Sequence, residues 1–349
     1  MTSKVLVGMS GGVDSSVAAL LLKEQGYEVC GATLCLFVNE QSGHGDAVED
    51  ARRVCRKLGV KHHLCDFQEQ FKEQVIGRFA AAYAAGRTPN PCVDCNRYIK
   101  FRLLYESAQR LGCDRIATGH YAQIEFAADS GRWLLKKAAD PAKDQSYVLY
   151  GLPQEILSAT LFPLGCLNKA KVRYIAENNG LAVAYKQDSQ DICFVPDGDY
   201  AAFLTRLSDS VAPPGDFVDR EGRVLGRHRG LPYYTIGQRK GIRISFGAPR
   251  YVTAIDAFAN TVCLGEEKDL LSDSLLAADL NLIALKELTE PLQVMVKTRY
   301  RQPETPAMIA PLPDGRVKVR FLHPQRALTP GQAVVFYDGA TIIGGGTIC

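Results

Sequence analysis

Short apolar runs alternate with longer amphipathic segments over the first part of the chain. The apolar runs predict buried strands at residues 5–7, 27–36, 61–66 and 115–118. Helical spacing and glycine stop signals predict helices at residues 17–23, 46–58, 68–84 and 97–111. Because strands and helices alternate, we expect an α/β fold with a doubly wound parallel sheet, in which ligands bind at the carboxyl ends of the strands.

This alternation stops near residue 208, and the Pro213-Pro214-Gly215 break predicts a domain boundary there. Later strands are short and separated by turns, at residues 292–298, 308–310, 317–321, 333–337 and 341–343. Asp314-Gly315 is typical of a hairpin turn. The pattern predicts a catalytic domain over 1–207, a small mixed linker domain over 208–274 and a C-terminal β-barrel over 275–349.

Composition narrows the choice of partners and compartment. With a formal net charge of only +3 over 349 residues, any nucleic-acid surface must be a local patch. No secretory signal and no apolar run of membrane-spanning length is visible, which predicts a cytoplasmic protein. The 11 cysteines form no regular framework, so packing, catalytic or metal-binding roles are favoured over disulfides. Cys30, Cys35, Cys65 and Cys263 lie in strand-like runs and are predicted to be packing residues.

A glycine-rich segment, Gly8-Met9-Ser10-Gly11-Gly12-Val13-Asp14-Ser15-Ser16, joins the first strand to the first helix. Free backbone amides and the helix dipole favour an anion at such a turn, and its glycines allow close approach of a phosphate. An aspartate beside a phosphate suits a Mg²⁺ ligand or a helix cap. The lysine of the GxxxxGK[ST] loop is missing, and the segment instead resembles the SGGxDS PP-loop of enzymes that split ATP between its α and β phosphates. The alternative is a glycine-rich turn that binds nothing.

Cysteine chemistry is suggested at two places. Cys92 and Cys95 form a CxxC motif after two prolines, and Cys95 lies near a helix N-terminus with Arg97 and Lys100 following. Both features lower a thiol pKa, so a reactive thiolate is predicted at Cys95. The motif alone is compatible with a zinc half-site, a redox pair or an iron–sulfur half-site. Cys193 precedes an aromatic run, and its spacing alone favours a buried packing residue.

Polar and basic segments indicate possible contacts with anions. Lys143-Asp144-Gln145-Ser146 precedes an apolar helix and could simply cap it. Lys169 and its neighbouring cations open a helix at the wrong end for its dipole, which suggests a nearby anion or else a solvated face.

Two further segments mix cationic and aromatic residues. Residues 220–243 contain seven Lys or Arg, with Tyr233, Tyr234, Gly237 and Gln238 interleaved among the later ones. That mixture suits phosphate contact and base stacking on RNA, although a solvated hairpin would look similar. A second basic-aromatic patch follows, formed by Lys297, Arg299, Tyr300 and Arg301.

Together these motifs resemble the tRNA-specific 2-thiouridylase family along almost the whole chain. The matching segments are GMSGGVDSS, GRTPNPCVDCNRYIKF, ATGHYA, KDQSYVLY, SQDICFV, LGRHRGLPYYTIGQRKG, KTRYRQ and TPGQAVVFY. The resemblance implies a PP-loop, adenine nucleotide α-hydrolase-like fold. It also implies adenylation of the C2 oxygen of a wobble uridine in tRNA, followed by replacement of that oxygen with sulfur from a cysteine persulfide. The products would be 2-thiouridine, AMP and pyrophosphate.

The resemblance also implies roles for individual residues. ATP, with Mg²⁺, would be bound by Gly8, Met9, Ser10, Gly11, Gly12, Val13, Asp14, Ser15, Leu34 and Gly119. Cys193 would carry the persulfide, and Cys95 would attack it and end in a disulfide with Cys193. Contacts to tRNA would come from Asn90, Pro91, Cys92, His120, Lys143, Asp144, Gln145, Tyr300, Arg301 and Gln332. A sulfur-delivery protein is an implied partner, whereas no membrane or DNA partner is expected.

One position departs from the family pattern, because many relatives carry an aspartate where this chain has Cys92. Cys92, Cys95 and Cys193 are therefore three candidate thiolates. Related thiolases hold an iron–sulfur cluster on three cysteines, so an iron–sulfur mechanism that uses Cys92, Cys95 and Cys193 is an alternative hypothesis.

Two rival functions use the same motifs differently. A PP-loop ligase acting on a small molecule would need neither tRNA nor cysteines. A non-enzymatic RNA-binding protein would bind tRNA without forming AMP. The cysteines argue against the first rival, and the intact SGGVDSS segment argues against the second.

Overall fold

The computed structural model describes residues 2–37, 45–186, 192–195, 198–207, 213–242, 244 and 247–349. Arg243, at the end of the predicted basic segment, and residues 187–191, which precede Cys193, lie outside these ranges. Within the described residues, no helix has both the length and the apolar character needed to cross a membrane.

The N-terminal unit is built on a five-stranded parallel sheet with the strand order β3-β2-β1-β4-β7. The strands of this unit are β1 (Lys4–Gly8), β2 (Glu28–Cys35), β3 (Lys61–Asp66), β4 (Arg115–Ala117), β5 (Gln123–Ala127), β6 (Arg132–Lys136) and β7 (Thr160–Leu161). Its helices are α1 (Val13–Glu24), α2 (Gly45–Leu58), α3 (Gln68–Phe71), α4 (Arg78–Ala84), α5 (Pro91–Asp94), α6 (Phe101–Arg110), α7 (Ser146–Leu149), α8 (Gln154–Ala159), α9 (Lys169–Asn178) and α10 (Tyr200–Leu207). The predicted doubly wound parallel sheet is confirmed.

Alternation along β1 explains why helices cover both faces of the sheet. Val5 and Val7 are fully buried against α1, α2 and α9. Leu6 points to the opposite face, where it packs with residues of α6 and α8. A strand buried on both faces gives a continuous apolar run, which is the signal that the sequence carries.

Two of the predicted helices contain a π-helical turn. The helix over 68–84 is α3 and α4 joined by the π-turn Lys72–Gly77. The helix predicted from residue 97 begins at Pro91, and α5 and α6 are joined by the π-turn Cys95–Lys100. Asn90 caps this helix, since its side-chain oxygen accepts a hydrogen bond from the Cys92 amide at 3.2 Å. Wide turns of this kind occur frequently at functional sites.

The middle unit is a small four-stranded sheet with the strand order β10-β11-β8-β9. Its strands are β8 (Gly215–Val218), β9 (Val224–His228), β10 (Tyr251–Asp256) and β11 (Thr261–Gly265). Tyr234 is only 3% exposed and packs edge-to-face on Phe217, with ring centroids 5.1 Å apart. The prediction that Tyr234 faces RNA is therefore wrong for this structure, because this ring forms part of the core of the unit.

The C-terminal unit is a closed six-stranded antiparallel barrel, as predicted. Its strands are β12 (Leu271–Leu282), β13 (Leu292–Lys297), β14 (Thr305–Pro311), β15 (Val317–Arg326), β16 (Ala333–Asp338) and β17 (Thr341–Ile348). Pairing of β12 with β17 closes the barrel. The Asp314-Gly315 turn joins β14 to β15, and Gly315 has a φ of 79°. Residue 275, where we expected this domain to begin, lies inside β12.

The N-terminal unit and the barrel share one hydrophobic core. The hairpin formed by β5 and β6 extends the barrel sheet beyond β17. Tyr147, fully buried, donates a hydrogen bond from its hydroxyl to the Ala333 carbonyl at 2.7 Å. Asn281 donates to the carbonyl oxygens of Tyr150 and Leu152 at 2.6 and 3.0 Å. These contacts fix the barrel beside the predicted catalytic domain, an arrangement that the sequence pattern did not reveal.

Candidate active site

The glycine-rich segment forms a tightly supported loop between β1 and α1. The Met9 amide donates to the Ala32 carbonyl at 2.7 Å, and the Met9 carbonyl accepts from the Thr33 hydroxyl at 2.8 Å. His62 lies 2.8 Å from that hydroxyl, so it supports the loop from behind. Gly11 has a φ of 70°, a conformation that favours glycine, and a side chain there would collide with the backbone of Ala47.

Hydroxyl groups of the loop bond within the loop itself. The Ser10 amide donates to the Ser15 hydroxyl at 3.1 Å, and the Ser16 hydroxyl donates to the Gly12 carbonyl at 2.8 Å. Met9 and Val13 are buried, so these two predicted ATP-binding residues can face a ligand only through their backbones. The loop is therefore a preformed turn at the start of α1, where the N-terminus of the helix favours an anion.

Gly119 lies beside this loop, as its position in the sequence predicted. It borders the crevice between the loop after β1 and the turn after β4. A Cβ atom at Gly119 would lie 2.6 Å from the Ser15 nitrogen and 2.7 Å from the Asp14 carbonyl carbon. The turn after β4 thus rests directly on the loop after β1. Strand order reverses between these two strands, and this is where doubly wound sheets bind ligands. Leu34, near the carboxyl end of β2, is half-buried at the same edge of the sheet.

Asp14 has neither of the two roles that its position suggested. Gly12, with no side-chain hydrogen bond, is the N-cap of α1. The two carboxylate oxygens of Asp14 each lie 2.8 Å from the Lys169 ammonium, and one also accepts from the Tyr121 hydroxyl at 2.7 Å. Since protein donors already occupy the carboxylate, it does not fit an open Mg²⁺ site, and we assign no step to Mg²⁺.

The three candidate thiols interact with one lysine. Burial lowers the pKa of the Lys100 ammonium, but electrostatic interactions with Cys95, Cys92 and Cys193 raise it by more. Cys95 is 5% exposed, whereas Cys92 and Cys193 are exposed. Thus residues of the CxxC motif and of a segment about a hundred positions later interact with the same lysine, at the end of the π-turn Cys95–Lys100.

An aromatic cluster anchors the Cys193 segment. Phe194 is buried and packs against Phe71, Phe79 and Phe203, with ring centroids 5.3 to 5.6 Å apart. Cys95 lies in the same cluster. The anchor holds Cys193 beside Cys95 while leaving the Cys193 side chain accessible to solvent.

The predicted low thiol pKa of Cys95 is wrong for this structure. Burial raises the pKa of the Cys95 thiol to about 12, and the opposing attraction of Lys100 is the smaller effect. Surrounding protein atoms also raise the pKa of Cys193, again against Lys100. The helix terminus and the nearby cations are present as predicted, but the apolar packing around Cys95 has the larger effect on the pKa of its thiol. Cys95 is therefore a protonated thiol at neutral pH.

Lys100 also connects the thiols to the crevice beside the glycine-rich loop. Burial and the charge of Lys100 lower the pKa of His120 to about 3, so its ring is neutral at physiological pH. His120 lies 2.8 Å from the Thr118 hydroxyl through Nδ1 and follows Gly119 directly. The glycine-rich loop thus contacts the 118–120 turn, His120 of that turn interacts with Lys100, and Lys100 interacts with the three thiols.

The iron–sulfur hypothesis receives no support from this arrangement. Among the described residues, no group of three or more His, Cys, Asp or Glu side chains could hold a metal ion. Cys95 is packed in an apolar cluster, while Cys92 and Cys193 face solvent. The three cysteines do not fit an iron–sulfur cluster in this structure, and we assign no step to such a cluster.

Cysteines predicted to be packing residues differ in their burial. Cys30 is 4% exposed and belongs to the core. Cys35, Cys65 and Cys263 are half-buried, at strand positions. The packing assignment holds fully for Cys30 and only in part for the other three.

Several predicted tRNA-contacting residues tie loops of the site together. Asp144 accepts hydrogen bonds from the Ala138 amide at 3.0 Å and the Ser146 hydroxyl at 2.8 Å, as a turn residue does. Gln145 accepts from the Tyr121 amide at 2.9 Å. Tyr300 of the barrel donates to the Asp144 carbonyl at 3.0 Å. The 143–145 segment is therefore held between the crevice and the barrel.

The remaining predicted tRNA contacts lie along the same face. Gln332, in the turn before β16, donates to the Thr88 carbonyl at 3.0 Å and so joins the barrel to the segment before Asn90. Arg301 is exposed, Lys143 is half-buried and Pro91 is buried. The residue pattern indicated no role for Tyr121 or Lys186. The misplaced cation at the start of α9 was the one signal that pointed to Lys169.

Comparisons with known proteins cover the whole chain. Family models match three consecutive segments: the tRNA methyl transferase HUP domain over residues 3–197, the tRNA methyl transferase PRC-barrel domain over 202–266 and the aminomethyltransferase beta-barrel domain over 272–348.

Curated relatives match over their full length. The chain is 48% identical over 355 residues to tRNA-specific 2-thiouridylase MnmA of Clostridioides difficile, covering 100% of this chain and 98% of the relative. It is 51% identical to MnmA 2 of Caldanaerobacter subterraneus, covering 99% and 98%. It is 50% identical to MnmA of Acetivibrio thermocellus, covering 99% of each.

Proposed function

We propose, from the premise that the chain belongs to the tRNA-specific 2-thiouridylase MnmA family, that it converts a wobble uridine of tRNA to 2-thiouridine with ATP and a persulfide sulfur. In the first stage, the uridine C2 oxygen attacks the α-phosphate of ATP and pyrophosphate leaves. In the second stage, sulfur replaces the adenylated oxygen at C2 and AMP leaves. Adenylation is needed because a carbonyl oxygen is otherwise a poor leaving group.

One observation carries this proposal. The 118–120 turn rests on the glycine-rich loop through Gly119, and His120 of that turn interacts electrostatically with Lys100. Lys100 in turn interacts electrostatically with Cys92, Cys95 and Cys193. A nucleotide crevice and a thiol cluster are therefore neighbours, so one bound base could meet both in succession.

The loop is suited to the first stage. Its backbone amides and the N-terminus of the twelve-residue helix α1 offer partial positive charge to the phosphates. Leu34 and Gly119 border the crevice on the side where we place adenosine. Since the loop is held by its own hydrogen bonds, little reorganisation accompanies binding of the phosphates.

The thiols are suited to the second stage. In our proposal, the terminal sulfur of a Cys193 persulfide attacks C2, AMP leaves, and the nucleobase is joined to Cys193 through a disulfide. The Cys95 thiolate then attacks the Cys193 sulfur, which releases 2-thiouridine and leaves a Cys95–Cys193 disulfide. The transferred sulfur gains the two electrons that the thiols lose, so the step balances. An external thiol must then reduce that disulfide, and a sulfur-delivery protein must reload Cys193.

The face that surrounds the crevice is suited to the anticodon region of tRNA. These predicted contacts come from three segments, which contain Asn90 and Cys92, Lys143, and Tyr300. Hydrogen bonds from the barrel reach the first two segments at Thr88 and Asp144. An unpaired loop base enters such a pocket at lower cost than a base from a duplex. Binding should weaken with salt, because phosphate contacts release counterions.

The proposal is tested by incubating the full chain with unmodified tRNA, ATP and magnesium under anaerobic conditions, with glutathione persulfide as the sulfur donor and glutathione as the external thiol. We expect 2-thiouridine in the digested tRNA by mass spectrometry, together with AMP. AMP formation that does not depend on tRNA would favour a small-molecule ligase. Binding of tRNA with no AMP formed would favour an RNA-binding protein, and either result would overturn the proposal.

A further inference from the structure

Two lysines from outside the glycine-rich loop reach it from the segment that follows β7. The Lys169 ammonium, at the start of α9, is 2.8 Å from both carboxylate oxygens of Asp14. The Lys186 ammonium donates to the Gly11 carbonyl at 3.1 Å and to the Asp50 carboxylate at 2.8 Å. The two cations therefore lie against Asp14 and Gly11, two residues of the loop itself.

The loop needs positive charge that its own sequence does not contain. It holds no lysine or arginine, and its one charged residue, Asp14, is negative. Backbone amides and serine hydroxyls are neutral donors, whereas the polyphosphate of ATP carries several negative charges. Without added cations, Asp14 would repel the ligand that the rest of the loop is shaped to bind.

Lys169 is held in a preorganised position. Its side chain is only 13% exposed, and its backbone amide donates to Asp140 at 3.1 Å. The Tyr121 hydroxyl donates to the same Asp14 carboxylate and fixes its orientation. Asp14 in turn adjoins Gly119 in the crevice where the strand order reverses. The ammonium therefore lies at the edge of the sheet where a ligand is expected.

We infer that Lys169 and Lys186 supply the positive charge that binds the phosphates of ATP, an inference that rests on the ATP chemistry proposed above. Asp14 is then a positioning residue, which holds Lys169 at the crevice before ATP arrives. An ammonium has three donors, so Lys169 can bond a phosphate oxygen without leaving the carboxylate entirely. The two lysines replace, from a distant part of the chain, the lysine that a GxxxxGK[ST] loop carries within itself.

The test compares binding of ATP, inorganic pyrophosphate and adenosine by isothermal titration calorimetry. We expect Lys169→Gln and Lys186→Gln each to weaken ATP and pyrophosphate binding by about 10- to 100-fold, the value of a charged hydrogen bond. Adenosine binding should not change. Lys171→Gln is the matched control, because Lys171 lies on the same helix and points over the Tyr174 ring. Lys169→Arg should retain most of the affinity, and melting temperatures would show that each variant is folded.

A second comparison separates direct contact from positioning. In an Asp14→Asn background, Lys169→Gln should still weaken pyrophosphate binding if the ammonium touches phosphate. No further loss in that background would mean that Lys169 acts only by holding Asp14, and would overturn the inference. The inference would also be overturned for a lysine whose glutamine variant binds ATP and pyrophosphate as tightly as the wild type does. If the wild type still makes 2-thiouridine in that case, the proposed function stands. A wild-type chain that binds no ATP would overturn both this inference and the proposed function.

Discussion

The nucleotide crevice and the thiol cluster are neighbours, but they are built in opposite ways. The crevice is assembled from a continuous loop, Gly8 to Ser16, and one adjoining turn, and hydrogen bonds hold it in place before a ligand arrives. The thiol cluster combines distant parts of the chain, and burial keeps Cys95 protonated. The comparison indicates that the first region is ready to bind, whereas the second must be activated by what binds beside it.

The largest effect within this comparison should come from filling the crevice. Gly119→Ala places a methyl group 2.6 Å from the Ser15 nitrogen, so the backbone of the loop must shift. We expect ATP affinity to fall by about tenfold or more, since overpacking costs about 1–3 kcal/mol. Calorimetry would measure it. Gly77→Ala is the control, because a Cβ atom there makes only an ordinary contact of 3.4 Å with Lys72.

Reactivity of the Cys95 thiol should be unaffected by Gly119→Ala. If that variant changed alkylation of Cys95 as much as ATP binding, the two regions would not be separate, and the comparison would fail.

A smaller effect should come from removing the cation of the thiol cluster. Lys100 lowers the pKa of Cys95, so Lys100→Met raises that pKa further and reduces the thiolate fraction. We expect iodoacetamide to alkylate Cys95 more slowly at pH 8, because a higher thiol pKa leaves a smaller thiolate fraction. Peptide mass spectrometry would follow the reaction. Lys72→Met, on the neighbouring π-turn, is the control.

Alkylation of Cys95 should become faster as the pH rises. Because the pKa of Cys95 is raised to about 12, its thiolate fraction should rise about tenfold per pH unit between pH 8 and 10. An alkylation rate that is already constant by pH 8 would show a low thiol pKa, and the original expectation from the helix terminus would then be correct.

Local sequence patterns predicted the sheet, the barrel and the loop because each depends on neighbours in the chain. The apolar run at Val5 to Val7 and the Asp314-Gly315 turn express their structure directly. The patterns did not predict the burial of Cys95, the core position of Tyr234 or the ion pair between Asp14 and Lys169. Each of these depends on packing between segments far apart, which residue spacing does not encode. The Cys95 thiol shows the consequence. The helix terminus and the nearby cations predicted a lowered pKa, but burial raises that pKa instead.

The most direct test of the central claim is exchange of labelled pyrophosphate into ATP in the presence of tRNA, measured with Cys95→Ser and Cys193→Ser. If the crevice activates the uridine and the thiols act only afterwards, both variants should retain exchange near the wild-type rate. Formation of 2-thiouridine should fall by at least about a thousandfold, as loss of a nucleophile causes elsewhere. Loss of exchange together with 2-thiouridine, in variants that still bind ATP and tRNA, would show that the thiols take part in activation and would contradict the account.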